Sequence, residues 1–125
     1  MFTLAEIDAH EPHAAQMQDD SPGPITLFNT FHVDPAQVEA FLAEWGDIVR
    51  EFKSQPGQVA TQVYRGVAGS GTIVIQAVWE SVAHYRAALA DPAFQARLAN
   101  AQYPAGTVAM PHLYRKVAIA GVCVA

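Results

Sequence analysis

The stretch "ITLFNTFHV", Ile25 to Val33, followed by "DPAQVEAFLAEWGDIVREF", Asp34 to Phe52, decides the fold, because the spacing of its apolar residues changes period partway along. In the first segment Ile25, Leu27, Phe31 and Val33 alternate with Thr26, Phe28, Thr30 and His32, the period-two pattern of a strand. Asn29 falls on the apolar face. In the second, Val38, Phe41, Leu42, Trp45, Ile48, Val49 and Phe52 recur at steps of three and four, which predicts an amphipathic helix. Asp34 is placed as its N-cap, Pro35 at its first position and Gln37 as a capping-box partner. Pro56 and Gly57 in "SQPGQ" stop it, since proline cannot continue a helix and glycine permits positive φ.

Downstream, "VATQVYR" and "TIVIQAVWE" are two β-rich runs joined by the glycine-rich "GVAGSG", which predicts an antiparallel hairpin. Ser81 caps a helix reaching about Ala90, and "DP" at Asp91 and Pro92 starts another through about Ala99. "QYPAGTVAMP" reads as irregular, and "HLYRKVAI", opening at His112, alternates as a last strand. The order β-α-β-β-α-β predicts an α+β, ferredoxin-like domain with an antiparallel sheet. Upstream, the two prolines and glycine of "DDSPGPI" mark where it begins. Residues 1–23 are then an N-terminal extension, 24–120 the domain and 121–125 a tail. Within the extension Phe2, Leu4 and Ile7 are expected in a short strand or arm docked on another surface.

On the hairpin, Ile73, Ile75, Ala77 and Trp79 face one way and Val74, Gln76 and Val78 the other. Helices on one face leave an apolar face uncovered, so a homodimer is expected, two sheets closing into a dimeric α+β barrel. The net charge of −5, with seven Lys and Arg scattered along the chain, leaves no basic stripe for nucleic acid. Cys123 stands alone and cannot form an internal disulfide, which suits a reducing compartment. The N-terminus lacks a basic region followed by an apolar run, as a secretory signal would have. The longest apolar run, "VAIAGVCVA", is far short of the ~20 residues of a membrane span. A cytoplasmic location with no membrane partner is expected.

Asn29 is an amide on an apolar strand face, and a buried amide without partners costs about 1–3 kcal/mol. It therefore meets structural partners or a ligand. Trp79, at a strand end beside a helix start, is a core filler or a pocket wall. Tyr85 shares a helix face with Val82 and Leu89, either packing or pointing its phenol into a pocket. The histidines are dispersed. His10 and His13 are three apart but have no third ligand nearby, so no metal is expected. His32 is on the strand face opposite Asn29; His84 and His112 are further candidates for a base near neutral pH. Arg97 is the cation best placed to turn toward a helix–sheet cleft. "GVAGSG" leads into a strand and so is a turn, not a phosphate loop, and no GxSxG or HExxH motif is present.

With Asn29 in the first strand, "VWES" at Val78 to Ser81, Tyr85 and Arg86 behind it, and "DPAFQARL" from Asp91 to Leu98, the chain from about Ile25 to Ile119 resembles the antibiotic biosynthesis monooxygenase family. That resemblance implies a dimeric α+β barrel and oxidation of a phenolic, hydroquinone or anthrone-type aromatic by O2 without flavin, haem or metal. The deprotonated substrate itself reduces oxygen in a dry pocket. It implies that Trp79 walls and orients the planar substrate, Tyr85 hydrogen-bonds or relays a proton, and Asn29 positions an oxygen. His84, Arg97 and His112 are further substrate-contact candidates. Where the family's actinorhodin-type anthrone oxygenases carry an asparagine four positions before the tryptophan, this chain has Ile75. The haem-degrading branch has a tryptophan and a histidine at positions that fall near Ala88 and Leu98. The alternatives are a non-catalytic barrel that binds a small ligand and a haem-binding or haem-degrading protein.

Overall fold

The computed structural model describes residues 2–52 and 54–125. Its elements run β1 (Thr3–Leu4), α1 (His13–Gln16), β2 (Ile25–His32), a 3-10 turn (Pro35–Gln37), α2 (Val38–Glu51), β3 (Gln58–Arg65), β4 (Thr72–Trp79), α3 (Val82–Leu89), α4 (Pro92–Ala99) and β5 (Val108–Tyr114). The sheet order is β1-β5-β2-β4-β3, antiparallel except for the β1–β5 pair. The expected split β-α-β-β-α-β order is present, with a fifth strand added at one edge.

On the helix-covered face, the period-two residues of β2 and β4 lie side by side, Phe31 opposite Ile73, Asn29 opposite Ile75 and Leu27 opposite Ala77. Val38, Phe41 and Ile48 of α2 bury themselves against that face. Val82 and Tyr85 of α3 do the same beside Trp79. The other face carries Phe28, Val74, Val78 and Met110 half-buried, with Tyr64 and Tyr114 exposed. The expected burial on both sides is therefore met by one chain on the helix side only.

Two local expectations are corrected. Asp34 accepts from the Ala36 N–H at 3.0 Å, but the first turn is 3-10, so Gln37 precedes α2 and its side chain makes no cap bond. The last strand starts at Val108, not His112, because the stretch read as irregular pairs with β2 from His32↔Val108 onward. His112 consequently sits inside β5. The short strand expected in the N-terminal segment is present as β1, which pairs in parallel with β5 through Thr3↔Val108 and Leu4↔Ala109 and ends before Ile7. That ladder is short for a covalent reason: continuing it past Ala5 needs an N–H at Pro111, which proline lacks. At the other terminus, Ile119 and Cys123 close a tight turn whose apolar residues Val117, Ile119, Val122 and Val124 are exposed.

Candidate active site

The apolar side chains under the helices form two clusters. One gathers Phe31, Phe41, Ile73, Tyr103 and Ala109 around α2; the other gathers Ile25, Ala77, Trp79, Val82, Tyr85 and Leu113 around α3. Between them lies a cavity of about 370 Å³. Phe31, Trp45 and Tyr103 wall it from the first cluster, Leu27, Trp79 and Tyr85 from the second, and the paired residues Asn29 and Ile75 also line it. Volume and lining match what a small planar aromatic needs.

Two of the residues that line this space each carry a buried, unpaired polar atom. Asn29 Oδ1 and Trp79 Nε1 are buried and have no hydrogen-bond partner among the described residues. Leaving such a donor or acceptor unmade costs about 1–3 kcal/mol each, a cost that a binding site recovers when a ligand arrives. One is an acceptor and the other a donor, so together they can address an aromatic bearing a hydroxyl and a carbonyl or oxyanion. Trp79 owes its place to the end of β4, which turns immediately into the Ser81-capped α3; the Ser81 hydroxyl accepts from the His84 N–H at 3.1 Å. That corner sets Tyr85 one helical turn on, with its ring edge-on to Trp79 at 5.7 Å.

The Tyr85 hydroxyl meets His13 Nε2 at 2.9 Å, across 72 residues of chain. Burial pushes the Tyr85 phenol well above its ordinary pKa, so it stays protonated at neutral pH. His13 is shifted the other way: desolvation lowers its pKa, the Glu6 carboxylate raises it, and His112 lowers it. The imidazole is therefore neutral near pH 7. Sequence reading considered His13 only for its spacing from His10, because nothing in residues 1–23 points to helix α3.

His13 is held by the rest of the extension. Its backbone N–H donates to Glu6 Oε1 at 2.9 Å. Gln16 pairs with the backbone of Leu113 through both ends of its amide, each at 2.9 Å, acting as a one-residue strand partner for β5. Arg86 donates to the Met17 carbonyl and pairs with Asp20 at 3.1 Å. The corner's guanidinium is thus a clamp on the N-terminal segment.

Asn29, Ile75, Trp79 and Tyr85 come together at the cavity; His84, Arg97 and His112 do not. His84 Nδ1 is hydrogen-bonded to the Ser81 hydroxyl at 2.6 Å and lies beneath Gly57, where a Cβ would meet its ring at 2.3 Å. Arg97 points away to α2, where Glu44 takes both its terminal nitrogens at 2.9 and 3.1 Å and Glu51 accepts from Nε at 3.3 Å. Its hydrogen bonds and the Gln102 N–H hold the Glu44 carboxyl below the usual range. His112 projects to the face opposite Asn29, where Gln16 donates to its Nε2 at 3.1 Å. None of the three lines the cavity: strand alternation turns His112 away, the α2 glutamates hold Arg97 and the Ser81 hydroxyl holds His84. Among the described residues no three His, Cys, Asp or Glu side chains converge as metal ligands would.

The chain belongs to the antibiotic biosynthesis monooxygenase family, whose model matches residues 24–99. Among solved structures it is similar to SnoaB, a cofactor-independent oxygenase from Streptomyces nogalater, at 25% identity and a TM-score of 0.63 over 79% of this chain and 98% of that one. A Shewanella loihica PV-4 protein is 28% identical, with a TM-score of 0.60 over 79% and 99% of the two chains. Rv0793 from Mycobacterium tuberculosis, 15% identical with a TM-score of 0.59 over 78% and 99%, shares the fold. No curated protein matches. At the two positions where haem-degrading relatives are expected to carry tryptophan and histidine, the cavity wall is Ala88 and Leu98, which supply no ligand for haem iron. No helix among the described residues is long and apolar enough to cross a membrane.

Proposed function

We propose that this chain is a cofactor-independent monooxygenase that oxidises a phenolic, hydroquinone or anthrone-type aromatic with O2 in the cavity beside Trp79. The observation that carries the proposal is the unpaired pair, Asn29 Oδ1 and Trp79 Nε1, on two residues that line a mostly apolar hollow. An electron-rich aromatic anion can hand an electron to O2 unaided, and the resulting pair recombines as a peroxide. For an anthrone the balance is CH2 + O2 → C=O + H2O, one oxygen atom kept and one leaving as water. The protein must bind the ring, hold its anion away from bulk water and manage one proton.

Each lining residue has a task in that scheme. Trp79 presents a ring against the substrate plane and an N–H toward developing negative charge. Asn29 accepts from a substrate hydroxyl or, through its NH2 end, donates to a carbonyl. Tyr85 offers its phenol to hydrogen-bond the substrate or relay a proton. Ile75 stands where anthrone oxygenases are expected to carry asparagine, which favours a substrate with an apolar edge at that position. The half-buried apolar face with Phe28, Val74 and Val78 supports a homodimer.

Oxygen uptake measured with a panel of anthrones, hydroquinones and naphthols tests the reading. Turnover is expected for at least one, reduced at least tenfold in Trp79→Ala and in Tyr85→Phe. Saturable binding of the same aromatics without any oxygen consumption would instead leave a ligand-binding barrel. A light-scattering mass of 13.5 kDa would contradict the homodimer.

A further inference from the structure

We infer that His13, carried by the segment ahead of the family-matched residues 24–99, is the proton acceptor of this cavity, with the Tyr85 hydroxyl as its relay. The inference rests on the pocket reading above and goes beyond it, because the base comes from a part of the chain outside the matched family region. Geometry supplies the first support. His13 and Tyr85 both line the cavity, their polar atoms are 2.9 Å apart, and their rings meet edge-to-face at 5.7 Å. Among the described residues, the side chains that wall the cavity otherwise offer amides, two indoles, hydroxyls, a thioether and hydrocarbon, none of which takes a proton near neutral pH.

Charge arrangement supplies the second. A base is useful when it is unprotonated before reaction and tolerates charge afterwards. Burial keeps His13 neutral, and Glu6, whose carboxylate accepts from its backbone N–H, is placed to favour the imidazolium once formed. The groups facing it are Glu6 and the extension on one side, Tyr85 of α3 on another, and His112 of β5, which opposes its protonation. Tyr85 cannot itself act as the base, because burial holds its phenol protonated and its proton must move on as another arrives.

The step is a relay. A substrate O–H or acidic C–H gives its proton to Tyr85 Oη while the tyrosine's own proton passes to His13 Nε2. The substrate keeps the bonding pair as an anion, one N–H bond forms on His13, and Tyr85 ends as it began. The extension is accordingly part of the site, held there by β1, the Gln16–Leu113 pair and the Arg86 clamp.

The test uses the full chain and a hydroxyanthraquinone, a ring of the right shape whose absorption moves to the red when its phenol ionises and which needs no turnover to report. At pH 7 the red-shifted form is expected on binding to the native protein. His13→Gln, which keeps a neutral hydrogen-bonding side chain, is expected to bind the dye within about threefold but at least tenfold less ionised, and added imidazole is expected to restore part of the shift. If the dye binds the native protein and stays un-ionised, or ionises equally in His13→Gln, the base assignment is overturned while the pocket stands. If it does not bind at all, the pocket reading falls and this inference with it. Should His13→Gln not fold, His13→Asn and the pH dependence of native-protein dye ionisation carry the same test: an ionisation that does not fall in acid with the native histidine overturns it.

Discussion

The two halves of the core use aromatic rings in opposite ways. Around α2, Phe31, Phe41 and Tyr103 pack centroid to centroid at 4.8, 4.9 and 6.1 Å, and Phe41 is completely buried. Around α3, Trp79, Tyr85 and His13 stand edge-on at 5.7 Å and line an open space. One half removes as much apolar surface from water as it can. The other holds a buried indole N–H unpaired beside a hollow that both halves wall. The comparison separates rings that pack on one another from the groups that, in the proposed function, meet a ligand.

That contrast breaks most decisively at Phe41. Phe41→Ala is expected to cost about 3–5 kcal/mol of unfolding free energy, read from the urea midpoint, because nothing nearby can fill the volume. Asn29→Leu should do the reverse: stability within about 1 kcal/mol of native, since it removes an unsatisfied amide, while turnover falls roughly a hundredfold for loss of an oxygen-positioning group. A large stability loss in Asn29→Leu would mean that the amide is structural and the two halves are alike. Arg86→Ala is expected to lower stability by about 1 kcal/mol and to make the segment around residues 17–20 more susceptible to protease, as the clamp on Met17 and Asp20 is released.

The smallest effect is a pH slope. The unfolded chain protonates His13 near its ordinary 6.5, whereas the folded chain resists until lower pH. Between those values the unfolded state binds more protons, so stability rises with pH and is lost as acid is added below 6.5. His13→Gln should flatten that part of the stability profile, measured by thermal denaturation at a series of pH values. An unchanged slope would place the histidine in water rather than in the pocket.

Much of this was legible beforehand because it is local. Alternation in β2 and β4, the three-and-four spacing of α2, and the Ser81 and Asp91 caps each depend on residues within a turn or a pleat of one another, and so placed Asn29, Ile75, Trp79 and Tyr85 on the helix-facing side. His84, Arg97 and His112 were misplaced for one reason. Their directions depend on partners that local pattern does not reveal: a glycine across the β3 start, two glutamates on α2, and four strand residues hidden in a stretch punctuated by Pro104, Gly106 and Pro111.

By itself the sequence determined the order of strands and helices and which faces are apolar, since steric period and capping act over a few residues. Only the tertiary structure decided what the cavity contains. It carried His13 across 72 positions to Tyr85, left Asn29 and Trp79 without partners, and turned Arg97 away, because hydrogen bonds and burial are settled between elements once they pack.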